Sequence, residues 1–142
     1  MTRPLYSSSR RFNRSAPTPP LETGQICIEI RVAGLNPVDW QIVESEELSS
    51  AFGLSLPSGF GNDFAGVVVE LGPGVTRWKV GDRVYGGARG AAVATSVVLD
   101  EHHRSLHRTP DQLSDLTAGV LDIAGRTASA VADALSSQPG PG

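Results

Sequence analysis

LPSGFGNDFAGVVVELGPGVTRWKVGDRVYG, residues 56–86, is the segment around which the chain is organised. Its centre, AGVVVEL at 65–71, is a run rich in β-branched residues without helix-length periodicity, the mark of a compact strand. Gly72-Pro73-Gly74 ends it, because proline has no N–H for a ladder and its glycine neighbours accept positive φ. Residues 80–85 repeat the scheme, with Gly81-Asp82 as a turn into a second strand. Two strands, each entered and left through glycine, predict tightly wound β structure rather than an open α/β sheet.

Upstream, QICIEIRVA at 25–33 alternates cleanly: Ile26, Ile28, Ile30 and Val32 share one face, Gln25, Cys27, Glu29 and Arg31 the other. Cys27 reads as structural or half-exposed, with no neighbour that would lower its thiol pKa. Asn36-Pro37 predicts a helix start, with asparagine as N-cap and proline at the first helical position. Residues 44–47 (ESEE) read as a solvated acidic rim, and 49–58 as loop or at most a helical turn.

Downstream, Gly86-Gly87-Ala88-Arg89-Gly90 is no phosphate loop: no GK[ST] follows, and the next residues, AAVATSVVL, read as a strand rather than a helix. His102, His103 and His107 lie between that strand and Thr109-Pro110, where helical ligand spacing cannot be assumed, and read as a solvated strand end. Residues 114–123 and 127–135 predict two helices capped by Ser114 and Thr127 and separated at Gly125. Val131, Ala134 and Leu135 carry an apolar stripe with no evident partner within the chain.

The 142 residues are consistent with one domain, and 16 glycines with 10 prolines fit many short strands joined by tight turns. A single cysteine excludes an internal disulfide and a four-cysteine zinc lobe, and fits a reducing compartment. No apolar run approaches membrane-spanning length and no signal-like h-region appears, so a cytoplasmic protein is expected. Residues 1–21 hold four arginines and no acid and read as a disordered basic leader. The remainder, with a net charge of −7, does not attract nucleic acid.

GNDFAGVVVELGPGVTRWKVGDRVYG resembles the central segment of the GroES-like domain of medium-chain dehydrogenases/reductases, and AGLNPVDW at 33–40 resembles its zinc-independent quinone oxidoreductase branch. The resemblance runs from about residue 20 to residue 135 through three motifs in the right order. It implies a mainly β (α+β) fold: a GroES-like, partly open β-barrel with short helices and C-terminal helices, and no Rossmann domain. It divides the chain into the leader (1–21), a substrate domain (22–136) and a tail (137–142) ending where a nucleotide-binding domain would begin. The family's first barrel strand is expected where the Arg/Ser-rich leader stands, so it is missing or displaced.

In the zinc-dependent branch a cysteine and a histidine of two short motifs hold the metal; Asn36 and Asn62 occupy those positions here, so no zinc is expected. In the zinc-independent branch hydride passes from NADPH to a conjugated carbonyl or quinone. The resemblance makes Asn36 and Asp39 the candidate catalytic residues and Thr127, in GRTASA, the candidate cofactor-binding residue. Each also has a purely structural role available: Asn36 and Thr127 as N-caps, Asp39 as a first-turn acid favoured by the helix dipole. Asp63 and Asp82 match family positions too, but turn-forming and strand-ending roles account for them. The aromatic that follows the first helix in the family has Phe52 as its nearest counterpart.

No G-x-G-x-x-G lies between a strand and a helix, so this chain alone is expected to bind no cofactor, NADPH being implied only for the complete enzyme. The expectation is therefore the substrate-domain portion of an NADPH-dependent quinone oxidoreductase-like reductase, truncated or split and not catalytic alone. Its partners would be a nucleotide-binding domain in another chain or a second copy through the C-terminal helix, with a small carbonyl or quinone as substrate. The alternative is a non-enzymatic interaction module built on the same barrel.

Overall fold

The structure is a computed structural model describing residues 20–56 and 58–137. Five antiparallel strands, β1 (Gln25–Gly34), β2 (Asp63–Leu71), β3 (Arg83–Gly87), β4 (Ser96–Asp100) and β5 (Leu106–Arg108), form one sheet in the order β4-β1-β2-β3-β5. Four helices accompany it: α1 (Pro37–Glu44), α2 (Glu46–Ala51), α3 (Asp115–Ala118) and α4 (Leu121–Ser136). None is long and apolar enough to cross a membrane.

The expected partly open barrel is not what forms. The sheet is open: β4 pairs only with β1, β5 only with β3, and the two outer strands do not pair with each other. The fold is accordingly mixed α/β rather than mainly β. The reason is physical: closure needs edge strands long enough to share a ladder, and the edges here are five and three residues long. The place expected for a first barrel strand lies in residues 1–19, outside the described residues.

The core follows the two-residue period of the strands. Ile26 and Ile28 of β1, Phe64 and Val68 of β2, Val84 of β3, Val97 of β4 and Leu106 of β5 meet on one face. Trp78, Ala88 and Ala92 from the loops close over them. Gly66, between Phe64 and Val68 on that face, must lack a side chain, since a Cβ would collide with the Glu29 carbonyl of β1. The Trp78 indole donates to the Glu101 carbonyl at 2.8 Å, and the Glu101 carboxylate accepts from the Thr76 and Arg77 N–H groups at 3.0 Å each. Those two N–H groups, Arg77 first, hold the Glu101 carboxyl below its ordinary pKa.

Several local readings shift by a few residues. β3 begins at Arg83, directly after the Gly81-Asp82 turn, whereas β4 begins only at Ser96 after a run of turns and bends. α2 occupies part of the expected loop, and its buried Ser49 donates its hydroxyl proton to the Ile42 carbonyl, tying it to α1. The C-terminal pair is redrawn more strongly: α3 has four residues, and α4 runs unbroken for 16 residues through Gly125. One glycine costs an interior about 1 kcal/mol relative to alanine, too little to stop a helix anchored elsewhere. Thr127 therefore lies inside α4 and is no N-cap.

A Cβ at Gly125 would meet nothing within 4 Å. Gly125→Ala should thus stabilise the domain by about 0.4–1 kcal/mol through helix propensity and unfolded-state entropy. The check is the urea midpoint at constant m-value; a lower midpoint would mean that α4 is not a continuous helix at that point.

Candidate functional site

The site grows from the junction of β1, α1, β2 and α4. Gly34 ends β1, and the chain turns through Leu35 into the N-cap Asn36. Proline at the first helical position starts α1, and Asp39 accepts the Asn36 backbone N–H at 2.8 Å, half of a capping box. The Asn36 side chain reaches across instead: its Nδ2 donates to Asp63 Oδ2 at 3.2 Å.

Asp63 is wholly buried at the first position of β2. Besides Asn36 it accepts from Asn62 Nδ2 at 2.7 Å and from the Ile123 N–H at 3.3 and 3.4 Å. Asn62 Nδ2 also donates to Asp122 Oδ2 at 3.2 Å, and Arg126 donates to that same oxygen at 2.7 Å. Two buried carboxylates thus share one amide, with a single guanidinium beside them. Asp122 Oδ1 is buried without a partner among the described residues.

The turn-forming role read for Asp63 is therefore incomplete: its carboxylate pins α1, β2 and α4 together. Asp82 keeps the expected role, accepting the Lys79 N–H at 2.9 Å and pairing with Arg108 at 3.2 Å. Asp122, Arg126 and Arg89 went unmarked in the sequence, because nothing local distinguishes them. The spacing of Asp122 and Arg126 by four on a helix was the one available signal.

Beside this network lies a cleft of about 260 Å³. Val38 and Ile42 of α1, Phe52 and Leu54 after α2, and Ile123 of α4 make its apolar walls. Asp39 and Asn62 face it from the network, and Arg89 and Arg126 complete the lining. Phe52, the expected aromatic, is thus in the wall, with the Arg89 guanidinium over its ring at 5.4 Å. A second cleft, between α4 and the β3–β5 edge, is lined by Tyr85, His107, Asp122 and Ser129 among others.

Of the three sequence candidates, the structure brings Asn36 and Asp39 together and leaves Thr127 apart. Asp39 lines the cleft; Asn36 stands behind it, bound to Asp63; Thr127 is exposed on α4 and lines neither cleft. His102 and His107 are exposed, while His103 Nε2 contacts the Gly87 carbonyl at 2.8 Å. Among the described residues no group of three or more His, Cys, Asp or Glu could hold a metal ion. Both Asn36 and Asn62 direct their amide donors at carboxylates. Burial pushes the Cys27 thiol above its ordinary pKa, as a structural cysteine requires.

Burial also pushes the Asp39 carboxyl above its ordinary value near 3.8, opposed by the Asn36 N–H and reinforced by the charge of Asp63. The folded state then binds this proton more tightly than the unfolded state, so the stability tied to Asp39 is greatest at low pH. It is lost as pH rises through the folded pKa. Relative to Asp39→Asn, the wild type should lose stability between the ordinary carboxylate range and neutral pH. Urea unfolding of both proteins at a series of pH values measures it; a gap that is flat or of opposite slope contradicts the shift.

The chain matches the alcohol dehydrogenase GroES-like domain over residues 22–132. It is 36% identical over 107 residues to the dehydrogenase pigH of Monascus ruber, covering 75% of this chain and 28% of that protein. It is 45% identical over 67 residues to a trans-enoyl reductase of Gibberella fujikuroi, covering 47% of this chain and 17% of the relative. The quinone oxidoreductase of Coxiella burnetii superposes with a TM-score of 0.72 at 31% identity, over 88% of this chain and 40% of that one. The chain thus spans well under half the length of these relatives. Motif order, fold and similarity agree: the chain belongs to the alcohol dehydrogenase GroES-like domain family, homologous to the zinc-independent quinone and enoyl oxidoreductases of the medium-chain dehydrogenase/reductase superfamily.

Proposed function

We propose that this chain supplies the substrate-side half of an NADPH-dependent, zinc-independent reductase acting on a conjugated carbonyl or quinone. The observation that carries the reading is the apolar cleft with Asp39 in its lining, built directly on the family's Asn-Pro-Val-Asp segment. The names of the quinone oxidoreductase and the trans-enoyl reductase to which it is similar support the same substrate class.

Reduction of such a substrate places negative charge on its carbonyl oxygen, and the protein's task is to hold the substrate and meet that charge. Asn62 has both amide protons committed to Asp63 and Asp122. Asp39, held toward its protonated form by burial, is the carboxyl of the lining placed to donate to the oxygen. Asn36 is bound through its side chain to Asp63 and fixes the Asp39 carboxyl through its backbone N–H. Hydride is what NADPH supplies when bound. The described residues offer no glycine-rich turn between a strand and a helix to hold a dinucleotide, and Thr127 contributes only one exposed hydroxyl. We assign the cofactor to residues beyond these.

A second reading, an interaction module, draws on α4. Val131 and Leu135 are 55% and 70% exposed and carry the expected apolar stripe. A nucleotide-binding domain in another chain or a second copy of this one is the partner we propose for that face in either reading. The lone, burial-raised thiol of Cys27 supports a cytoplasmic setting for both.

Amide chemical-shift mapping tests the leading reading on this chain as it stands. Methyl trans-2-octenoate and 1,4-naphthoquinone should perturb the amides of Val38, Asp39, Ile42 and Ile123, and Leu54→Trp, which fills the cleft, should abolish the effect. Shifts confined to α4, or none at the cleft with either probe, would favour the interaction module.

A further inference from the structure

Arg89 is the element of the cleft that the reaction above leaves unused. It sits in the β3–β4 connection, in a turn where Gly90 adopts φ +66° and packs against Leu54. Its side chain is exposed at the rim of the cleft, with the guanidinium over the Phe52 ring of the apolar wall. No carboxylate lies within ion-pair distance of it among the described residues, whereas the other cleft arginine, Arg126, is bound to Asp122 at 2.7 Å. The cleft therefore presents one uncompensated positive charge at its exposed rim, above an apolar floor.

We propose that Arg89 is a specificity-determining residue that reads a carboxylate on the substrate, so that the cleft takes short-chain 2-enoic acids or similarly charged conjugated carbonyl compounds. The inference rests on the reductase reading and names its substrate class. A planar guanidinium matches a carboxylate with two parallel N–H···O bonds. One free charge balances a monoanion; a phosphate dianion would keep excess negative charge close to Asp39, Asp63 and Asp122. The cleft volume of about 260 Å³ favours a short chain, since drug-sized sites run to roughly 300–1,000 Å³. The Phe52–Arg89 contact sets the distance between the charged group and the apolar floor.

The test compares trans-2-octenoate, its methyl ester and octyl phosphate by chemical-shift titration, in the wild-type chain and in Arg89→Gln and Arg89→Lys. Wild type should bind octenoate about five-fold or more tightly than the ester. The preference of acid over ester should shrink with added salt, vanish in Arg89→Gln and survive in part in Arg89→Lys. Equal binding of acid and ester in the wild type, or a preference that persists in Arg89→Gln, overturns the role of Arg89 while leaving the reductase reading intact. Tighter binding of octyl phosphate than of octenoate overturns the carboxylate assignment. Failure of acid and ester alike to reach the cleft removes the reductase reading, and this inference with it.

Discussion

A carboxylate without access to water is the constraint on which the rest of this domain depends. Asp63 is fully buried, and among the described residues no cation touches it; its carboxylate is met by N–H groups from Asn36, Asn62 and Ile123. Desolvating a carboxylate is costly by several kcal/mol unless it is well hydrogen-bonded, so these donors must stay in place whenever the domain is folded. They come from the loop before α1, the residue preceding β2 and the first turns of α4. One buried carboxylate thus ties the starts of α1 and α4 to the first residue of β2.

The same arrangement shapes the chemistry. Asp63, Asp122 and Asp39 crowd together at one end of the sheet, and among the described residues Arg126 is the cation paired into the group. Asp39 responds by holding its proton more tightly, chiefly because it is buried. Burial raises the Asp39 pKa, so its ionisation weakens the fold as pH rises, and the same carboxyl stands in the lining of the cleft. The unpartnered Asp122 Oδ1 belongs to the same crowded end.

What was legible in the sequence is what local chemistry determines. The alternation of Ile26 and Ile28, the β-branched run before Gly72 and the Asn-Pro helix start all appear where their residues place them. Asp39 and Asn36 were found through their motif, and Phe52 as the nearest aromatic. What was illegible is long-range. Asp63 meets Ile123, and Asn62 meets Asp122, across 60 residues, and no window of sequence displays that. Gly125 read as a break because propensity was weighed without the anchoring of α4 by Asp63 and Arg126. Tightly wound β structure was read from the glycine-bounded strands and a partly open barrel from the family resemblance; the short outer strands decide against both.

Amide hydrogen exchange in the wild type and in Asp63→Asn tests most directly whether this one carboxylate holds the site together. The wild type should protect the Ile123 amide and the first turns of α4 nearly as well as the β1–β2 ladder. Asp63→Asn, which keeps the shape but loses the charge and one acceptor oxygen, should release Ile123, α4 and the start of α1 together while β1 and β2 stay protected. Unchanged protection of Ile123 and α4 in that variant would show that packing alone positions the helices, and would contradict the account.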